Sequence, residues 1–340
     1  MTPSDSFTAV LEAYGESHPP SLTYRAGDDF PEWQERFRRQ LESLRSPVPD
    51  RVPLQVEILE STEDEGHTRH LLRVSVSDCS SLIAYLLVPH GIRVGEKRPG
   101  LIAIHGHYKH GIDSICGVRV EASDPNNDIR HAYALHAVRE GYIVLAPALW
   151  GWPGRDGHLD LVGGLDRCNV AQIAAGMYGL NMVDLHIQDC QAALDLLASR
   201  PEVDEERIGC LGNSTGGRMT MWLSVFDERV KACVPSGSMN TFRERSLKLS
   251  SCGIQYPFGL LRYGDVPEIF SLISPRPMQL QAGEGDGLIT PQDRDSMETQ
   301  VRGAYHLLDA EENYDYVLHG EGHLLQWDKA APFLARHLEL

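Results

Sequence analysis

The sequence has no run of 18 apolar residues, and its start lacks the basic segment followed by an apolar one that a secretion signal requires. Basic residues are also scarce, since 31 lysines and arginines stand against 48 acidic residues, for a net charge of -17. No basic patch with interleaved aromatic residues is present, and an acidic chain is repelled by phosphate backbones. The sequence therefore predicts a cytoplasmic protein that binds neither membranes nor nucleic acids.

Cysteine is too sparse and too irregular for a disulfide framework. The seven cysteines are odd in number and contain no Cys-x-x-Cys pair, which suits a reducing compartment. Cys210 and Cys233 fall in predicted strands, where a buried thiol behaves as a small apolar side chain. We expect no disulfide framework, no bound metal and no cofactor.

The remaining composition is that of a large α/β domain. The 340 residues are 42% hydrophobic and 23% charged, enough to bury a full core. Residues 54–88 read as antiparallel strands, and after residue 98 apolar strands alternate with helical stretches. This alternation predicts a mostly parallel central sheet covered by helices on both faces.

Two segments are predicted to lie outside the sheet. Residues 1–52 form an N-terminal helical extension, followed by the main domain over 53–340. The extension carries one amphipathic helix that covers the core, and residues 151–180 form a possible cap. The core-covering stripe consists of Phe30, Trp33, Phe37 and Leu41.

The segment Gly212-Asn213-Ser214-Thr215-Gly216 has the spacing of a nucleophile elbow, in which a strand turns sharply into a helix. "RIGCLG" before it reads as a strand, and apolar residues follow at helical spacing. Glycines two positions on either side of Ser214 suit a turn too tight for side chains. The pattern predicts Ser214 as a nucleophile.

Two further strand ends supply candidate partners for this serine. Asp286 follows "PMQLQAG", and His323 follows "YDYVLHG". Residues at the carboxyl ends of parallel strands meet at one edge of the sheet, so we expect the three to converge. The imidazole of His323 would accept the serine proton, and Asp286 would orient the imidazole. Glu284 remains open as the alternative acid.

The same edge should hold the donors for a developing oxyanion. The backbone N–H of Thr215 follows the elbow, and that of His107 lies in the "HGH" turn after another strand. His105 in the same turn is expected to brace the loop rather than to react.

These pieces together resemble the α/β-hydrolase superfamily, and more closely its dienelactone hydrolase and acetyl xylan esterase-like branch, from about residue 98 to the end. The segments that carry the resemblance are "IHGHYKHG", "LAPALWGWPGR", "GNSTGG", "SPRPMQLQAGEGDGLITP" and "HGEGH". The resemblance implies an α/β-hydrolase fold and a serine esterase with a catalytic triad. Asn213 departs from the histidine or phenylalanine more usual at that position, and the first fifty residues contribute nothing to the resemblance.

The expected substrate is a small-molecule ester. Trp150, Trp152, Tyr256 and Phe258 are candidate pocket residues whose rings would narrow the site and favour short acyl groups. Hydrolysis would pass through an acyl-enzyme. The sequence does not fix the alcohol or the oligomeric state, and a homo-oligomer is compatible with it.

Other activities remain open. Acyl transfer and peptide cleavage use the same fold, although the first hundred residues are too few for the propeller that excludes proteins from such peptidases. A zinc hydrolase is an alternative in which His105, His107 and His110 would bind the metal. It is disfavoured because Lys109 stands where such a cluster carries an aspartate, and a cation beside divalent metals is repelled.

Overall fold

The computed structural model describes residues 6–118, 128–159, 167–248 and 252–340. The strands in these ranges are β1 Val56–Asp64, β2 His67–Ser77, β3 Ser80–Pro89, β4 Arg98–Ile104, β5 Ile143–Pro147, β6 Val203–Asn213, β7 Ala232–Ser236, β8 Met278–Gly283 and β9 Tyr314–His319. The helices are α1 Phe7–Ser17, α2 Phe30–Ser43, α3 Ile112–Ile115, α4 Tyr133–Arg139, α5 Arg167–Gly176, α6 Met182–Ala198, α7 Thr215–Phe226, α8 Phe242–Lys248, α9 Val266–Ser271, α10 Pro291–His306 and α11 Trp327–Leu338.

These strands form one mixed sheet in the order β1-β2-β3-β5-β4-β6-β7-β8-β9. The first three strands run antiparallel, and β3 pairs antiparallel with β5. From β5 to β9 every neighbouring pair is parallel. The predicted mostly parallel sheet with an antiparallel edge is therefore confirmed.

The core has two parts, one on each face of the sheet. Helices α2, α6, α7, α9 and α10 contribute to one cluster of buried apolar residues, and α3, α4 and α11 contribute to the other. Strands β4, β5, β7 and β8 are buried along almost their whole length, and β6 is buried from residue 208 to 213, as expected for parallel strands covered on both sides. The carboxyl ends of these strands are left as the edge at which loops meet.

The N-terminal extension is packed onto the first of these clusters. Asp29 caps α2 by accepting a hydrogen bond from the Glu32 N–H at 2.9 Å. The four apolar residues of the predicted stripe are all buried. Gln34 donates to the Ser271 carbonyl at 2.9 Å, which joins α2 to the main domain.

Two parts of the chain add to what the sequence predicts. Helix α1 was not predicted; its Phe7, Val10, Leu11 and Tyr14 repeat at helical spacing, but none of its residues is buried. Within the predicted cap, residues 151–159 form turns and residues 167–176 form helix α5. Residues 160–166 lie outside the described residues. No helix in the described ranges is long and apolar enough to cross a membrane.

Strand β1 forms one outer edge of the sheet, paired only with β2. Residues 56–61 of this strand are all exposed, including Val56 and Ile58. Its pairing register shifts between Ile58 and Glu60, which marks an irregularity of the bulge type.

Candidate active site

Ser214 lies between the end of β6 and the start of α7, at the carboxyl edge of the sheet. Its φ of 62° and ψ of -121° fall in the positive-φ region that residues other than glycine rarely adopt. The Ser214 N–H donates to the Ser236 carbonyl at 2.9 Å, and the Ser214 carbonyl accepts from the Arg218 N–H at 3.0 Å. These two hydrogen bonds hold the turn to β7 and to α7. This is the strained strand-turn-helix geometry of a nucleophile elbow.

The glycines around Ser214 permit close packing of the backbone. A Cβ on Gly216 would lie 2.0 Å from the Ile104 carbonyl oxygen, and one on Gly212 would lie 2.5 Å from the Gly216 carbonyl carbon. A side chain at either position would force strand β4 away from the turn. The spacing of glycines seen in the sequence is therefore a steric requirement.

His323 and Asp286 are in direct contact. The distance from His323 Nδ1 to Asp286 Oδ2 is 2.6 Å, and Asp286 Oδ1 accepts a hydrogen bond from the Leu288 N–H at 2.9 Å. The Asp286 side chain is fully buried, whereas that of His323 is 29% exposed. Glu284 is exposed on the same loop and its N–H donates to the His319 carbonyl.

Asn213 joins the elbow to the histidine loop. Its Nδ2 donates to the His323 carbonyl at 3.3 Å and to the Tyr108 hydroxyl at 3.1 Å. A Cβ on Gly237 would contact both Asn213 Oδ1 and the His323 ring, which shows how close the elbow lies to the imidazole. His323 Nε2 is buried and has no hydrogen-bond partner among the described residues. The structure thus brings Ser214, Asp286 and His323 to one place.

The loop after β4 closes over the elbow. A Cβ on Gly106 would lie 3.1 Å from Ser214 Cβ, so this loop passes directly beside the serine. His105 is fully buried, and its Nε2 accepts a hydrogen bond from the Leu149 N–H at 3.0 Å. Burial lowers the pKa of His105 to about 4, so the ring is neutral and suited to bracing the loop.

His107 and Thr215, whose amides are the predicted oxyanion donors, are joined by their side chains. The distance from His107 Nδ1 to Thr215 Oγ1 is 2.6 Å, and Gln255 Nε2 donates to the same oxygen at 2.7 Å. Thr215 begins α7, where the first backbone N–H groups lack an intrahelical acceptor. The helix dipole also favours negative charge at this position.

The two predicted tryptophans lie in the loop after β5. Trp152 is buried, donates its indole N–H to the Tyr108 carbonyl at 2.9 Å, and has its ring centre 5.1 Å from that of His107. Trp150 is half-buried and stacks under the Arg155 guanidinium at 3.6 Å. Arg155 itself forms a buried ion pair with Asp189 of α6 at 2.6 Å, which anchors the loop.

Tyr256 and Phe258 share one cavity. They line a cavity of about 630 Å³, whose other walls include Leu11 and Tyr14 of α1 and Phe242 of α8. None of the three predicted catalytic residues is among the described residues that line this cavity. Among the predicted pocket residues, Trp152 has ring contacts with His105 and His107 in the loop beside Ser214.

The three histidines of the alternative zinc site do not come together. His105 Nε2 is occupied by the Leu149 amide, and within the described ranges His107 is the only one of the three in a group of metal-capable side chains. Its companions are Cys168 and Cys252, which lie far away in the sequence. No spacing within the histidine-rich loop could have indicated these two thiols.

An open α/β sheet, an elbow serine and a histidine–aspartate pair at its carboxyl edge define the α/β-hydrolase class. Residues 115–320 match the profile of the dienelactone hydrolase family, a range that includes Ser214 and Asp286 and ends just before His323. The chain belongs to the dienelactone hydrolase family and is an enzyme of the ester-hydrolase class.

Individual proteins agree with this assignment. YtaP of Bacillus subtilis (strain 168), whose name places it among the hydrolases, is 28% identical over 292 residues, or 84% of this chain and 92% of that protein. A structure described as an acetyl xylan esterase from Bacteroides fragilis NCTC 9343 superposes with a TM-score of 0.82 at 18% identity, covering 98% of this chain and 95% of the other. A glucuronoyl esterase from Solibacter usitatus gives a TM-score of 0.66 at 15% identity, covering 94% and 97%. At these identities the two structures show a shared fold.

Proposed function

We propose that the protein is a serine carboxylester hydrolase that cleaves small acyl groups through an acyl-enzyme. The observation that carries this proposal is the 2.6 Å contact between His323 Nδ1 and Asp286 Oδ2, which leaves a buried Nε2 without a partner in the loop that Asn213 joins to the elbow. A general base needs a free ring nitrogen next to the nucleophile and an acceptor for its other nitrogen. The names of the structural neighbours, which include acetyl xylan and glucuronoyl esterases, favour an ester as the substrate.

The reaction has two halves. Ser214 Oγ attacks the ester carbonyl while His323 Nε2 takes the serine proton, and the leaving alcohol then receives that proton as the C–O bond breaks. Water enters, gives a proton to His323 and attacks the acyl-serine, which releases the acid and restores the serine. Asp286 holds Nδ1–H throughout and stabilises the imidazolium.

The negative oxygen of each tetrahedral intermediate needs donors already in place. We assign this role to the backbone N–H groups of Thr215 and His107, whose positions are fixed by the contact between their side chains. Loss of one such donor costs about 3 kcal/mol of transition-state stabilisation.

The serine assignment is tested with Ser214→Ala. Ester turnover should fall to near background, because the nucleophile is lost while the elbow and both glycines remain. Intact-mass measurement after mixing with ester should show one added acyl group on the wild-type chain and none on the variant. A variant that retains a tenth of wild-type activity would refute the assignment. Thr220→Ala, a buried hydroxyl of the same helix, serves as the matched control and should still acylate.

Acyl length is the second expectation. Trp152 packs against the ring of His107, so a long acyl chain would have to displace it to seat its carbonyl at the oxyanion donors. Acetyl and propionyl esters of p-nitrophenol should therefore have higher kcat/KM than octanoyl and longer esters. Trp152→Ala should move the preference towards longer chains.

The control for this series is Phe258→Ala, because Phe258 lines the separate cavity near α1. It should leave the preference unchanged. A wild-type maximum at octanoyl or beyond would contradict the small-acyl proposal and favour a lipase-like enzyme.

A further inference from the structure

Three potential metal ligands converge beside the loop that carries His107. His107 Nε2 lies 3.3 Å from Cys168 Sγ and 3.3 Å from Cys252 Sγ, and the three atoms all lie within 4.8 Å of one another. They come from the loop after β4, the start of α5 and the turn that precedes residues 253–255. We propose that His107, Cys168 and Cys252 bind a thiophilic divalent metal ion, for which zinc is the best match.

The distances are those of a metal site rather than of hydrogen bonds alone. A ring nitrogen has either one lone pair or one N–H, so it cannot make a good hydrogen bond to two sulfur atoms at once. With Zn–S near 2.3 Å and Zn–N near 2.0 Å, a tetrahedral site places nitrogen and sulfur about 3.5 Å apart. The two observed separations are within a few tenths of an ångström of that value, and one ion between the three atoms would satisfy all of them.

The far side of the imidazole is arranged as metal-binding histidines require. Such a histidine usually donates its other ring N–H to an oxygen, which fixes the ring and raises its basicity. His107 Nδ1 lies 2.6 Å from Thr215 Oγ1, and that oxygen is itself held by Gln255. The metal-binding tautomer is the one in which Nδ1–H donates to Thr215 Oγ1, since this leaves the Nε2 lone pair free for an ion between the two thiols.

The two thiols belong to segments that already touch. The Gly253 N–H donates to Asn169 Oδ1 at 2.8 Å, so the residues that follow the cysteines hold the two backbones together. Both thiols are buried while His107 is exposed, which leaves an entry path for the ion on the histidine side. Three protein ligands leave a fourth position for water or a small anion.

The bound ion would hold two segments of the chain together. It joins α5 of the predicted cap to the loop that passes beside Ser214, so its removal would loosen that loop. The site uses no member of the proposed triad, and metal binding can therefore be measured independently of ester hydrolysis.

Cobalt is the probe for the test. The full chain, reduced with a phosphine and freed of metal, is titrated with Co²⁺ and followed by absorption. One equivalent should give the thiolate-to-cobalt band in the near ultraviolet and the strong visible bands of a tetrahedral site. Cys168→Ser and Cys252→Ser should each weaken binding by more than about 100-fold, since even an outer partner of a metal ligand is worth about 10–100-fold.

The matched control is Cys79→Ser, because Cys79 is an exposed thiol outside the cluster. It should titrate like the wild type. Zinc should raise the Tm of the wild type and of Cys79→Ser but not that of Cys168→Ser or Cys252→Ser. If a cluster variant does not fold, Thr215→Val provides the second test, with an expected loss of about 10–100-fold in cobalt affinity.

Three results would overturn the proposal. The first is the absence of a thiolate-to-cobalt band in the folded, reduced chain. The second is an unchanged band in Cys252→Ser. The third is a Cys168–Cys252 disulfide found by peptide mass analysis, together with no metal uptake after its reduction.

Discussion

Asp286 and Glu284 lie two residues apart on one loop, yet only the carboxylate of Asp286 reaches His323. The turn after β8 decides which carboxylate reaches the imidazole. In this turn the Asp286 N–H donates to the Gly283 carbonyl at 3.2 Å and directs the side chain inward. Glu284 instead remains exposed. The sequence placed both carboxylates after the strand and left the choice open, because the direction of a side chain in a tight turn depends on backbone angles that composition does not show.

Asp286→Asn should lower kcat by about 10³ to 10⁴ with Ser214 still present, because an amide cannot hold His323 in the required tautomer or stabilise its charged form. Glu284→Gln, the matched variant two residues away, should stay close to wild type. Steady-state kinetics on a short-chain ester measure both. A larger loss in Glu284→Gln would transfer the role to that residue.

The cysteines show the limit of sequence reasoning at this scale. Cys210 and Cys233 were predicted to be buried strand residues, and both are buried in β6 and β7. Cys168 and Cys252 carry no signal in the sequence, because their neighbour His107 is 61 residues from one and 145 residues from the other. A contact that spans three separate segments leaves no periodic pattern along the chain.

At the scale of elements, helix α2 was predicted because its stripe repeats at helical spacing. Helix α1 was missed although Phe7, Val10, Leu11 and Tyr14 repeat at the same spacing, and these residues stay exposed. Helix α5 was also not predicted. The extension that contains α2 shares its core with the sheet: Phe37 is fully buried and its ring stacks on Trp33 at 5.6 Å. A Cβ on Gly264 would lie 2.6 Å from the Phe37 ring. The boundary at residue 52 between the extension and the main domain stays a prediction. An unfolding experiment can test whether the two parts unfold together.

Phe37→Ala should lower the free energy of unfolding by about 3–5 kcal/mol, because it removes a large buried ring and leaves a cavity against the main domain. Arg39→Ala on the same helix removes only an exposed pair with Glu35 and should cost less than about 1 kcal/mol. Urea unfolding of both variants tests this. If Phe37→Ala leaves the main transition unchanged, the extension folds separately.

For the whole molecule, buried histidines couple stability to pH. Burial lowers the pKa of His105 to about 4 and that of His186 to about 3, against an ordinary value near 6.5. At a pH between the lowered pKa values of the folded chain and the ordinary value of 6.5, these histidines bind protons in the unfolded chain but not in the folded chain. Stability therefore falls as pH drops below 6.5. Asp265 opposes this, because burial raises its pKa to about 6 and the folded chain keeps that proton.

Of these three groups, two histidines against one aspartate leave about one net proton, or about 1.4 kcal/mol per pH unit, lost from stability between about pH 6 and 4.5. Burial also lowers the pKa values of His67, His131, His319 and His337, which adds to the loss, and raises those of Asp113 and Asp189, which opposes it. Urea unfolding at several pH values measures this slope. His186→Gln should reduce it by about one proton, since the substituted side chain does not titrate. A wild-type stability that rises towards acid in this window would contradict the assignment.

The exposed strand β1 has a consequence for how copies of the chain meet in solution. An unpaired edge with Val56 and Ile58 outward is a template for strand addition, yet it carries Glu57, Glu60 and Glu63 and a shift in register. With a net charge of -17 the copies repel one another at low salt. Because the Debye length shrinks from about 10 Å at 0.1 M to about 3 Å at 1 M salt, concentrated salt removes this repulsion, and ionic strength sets the colloidal stability of the protein.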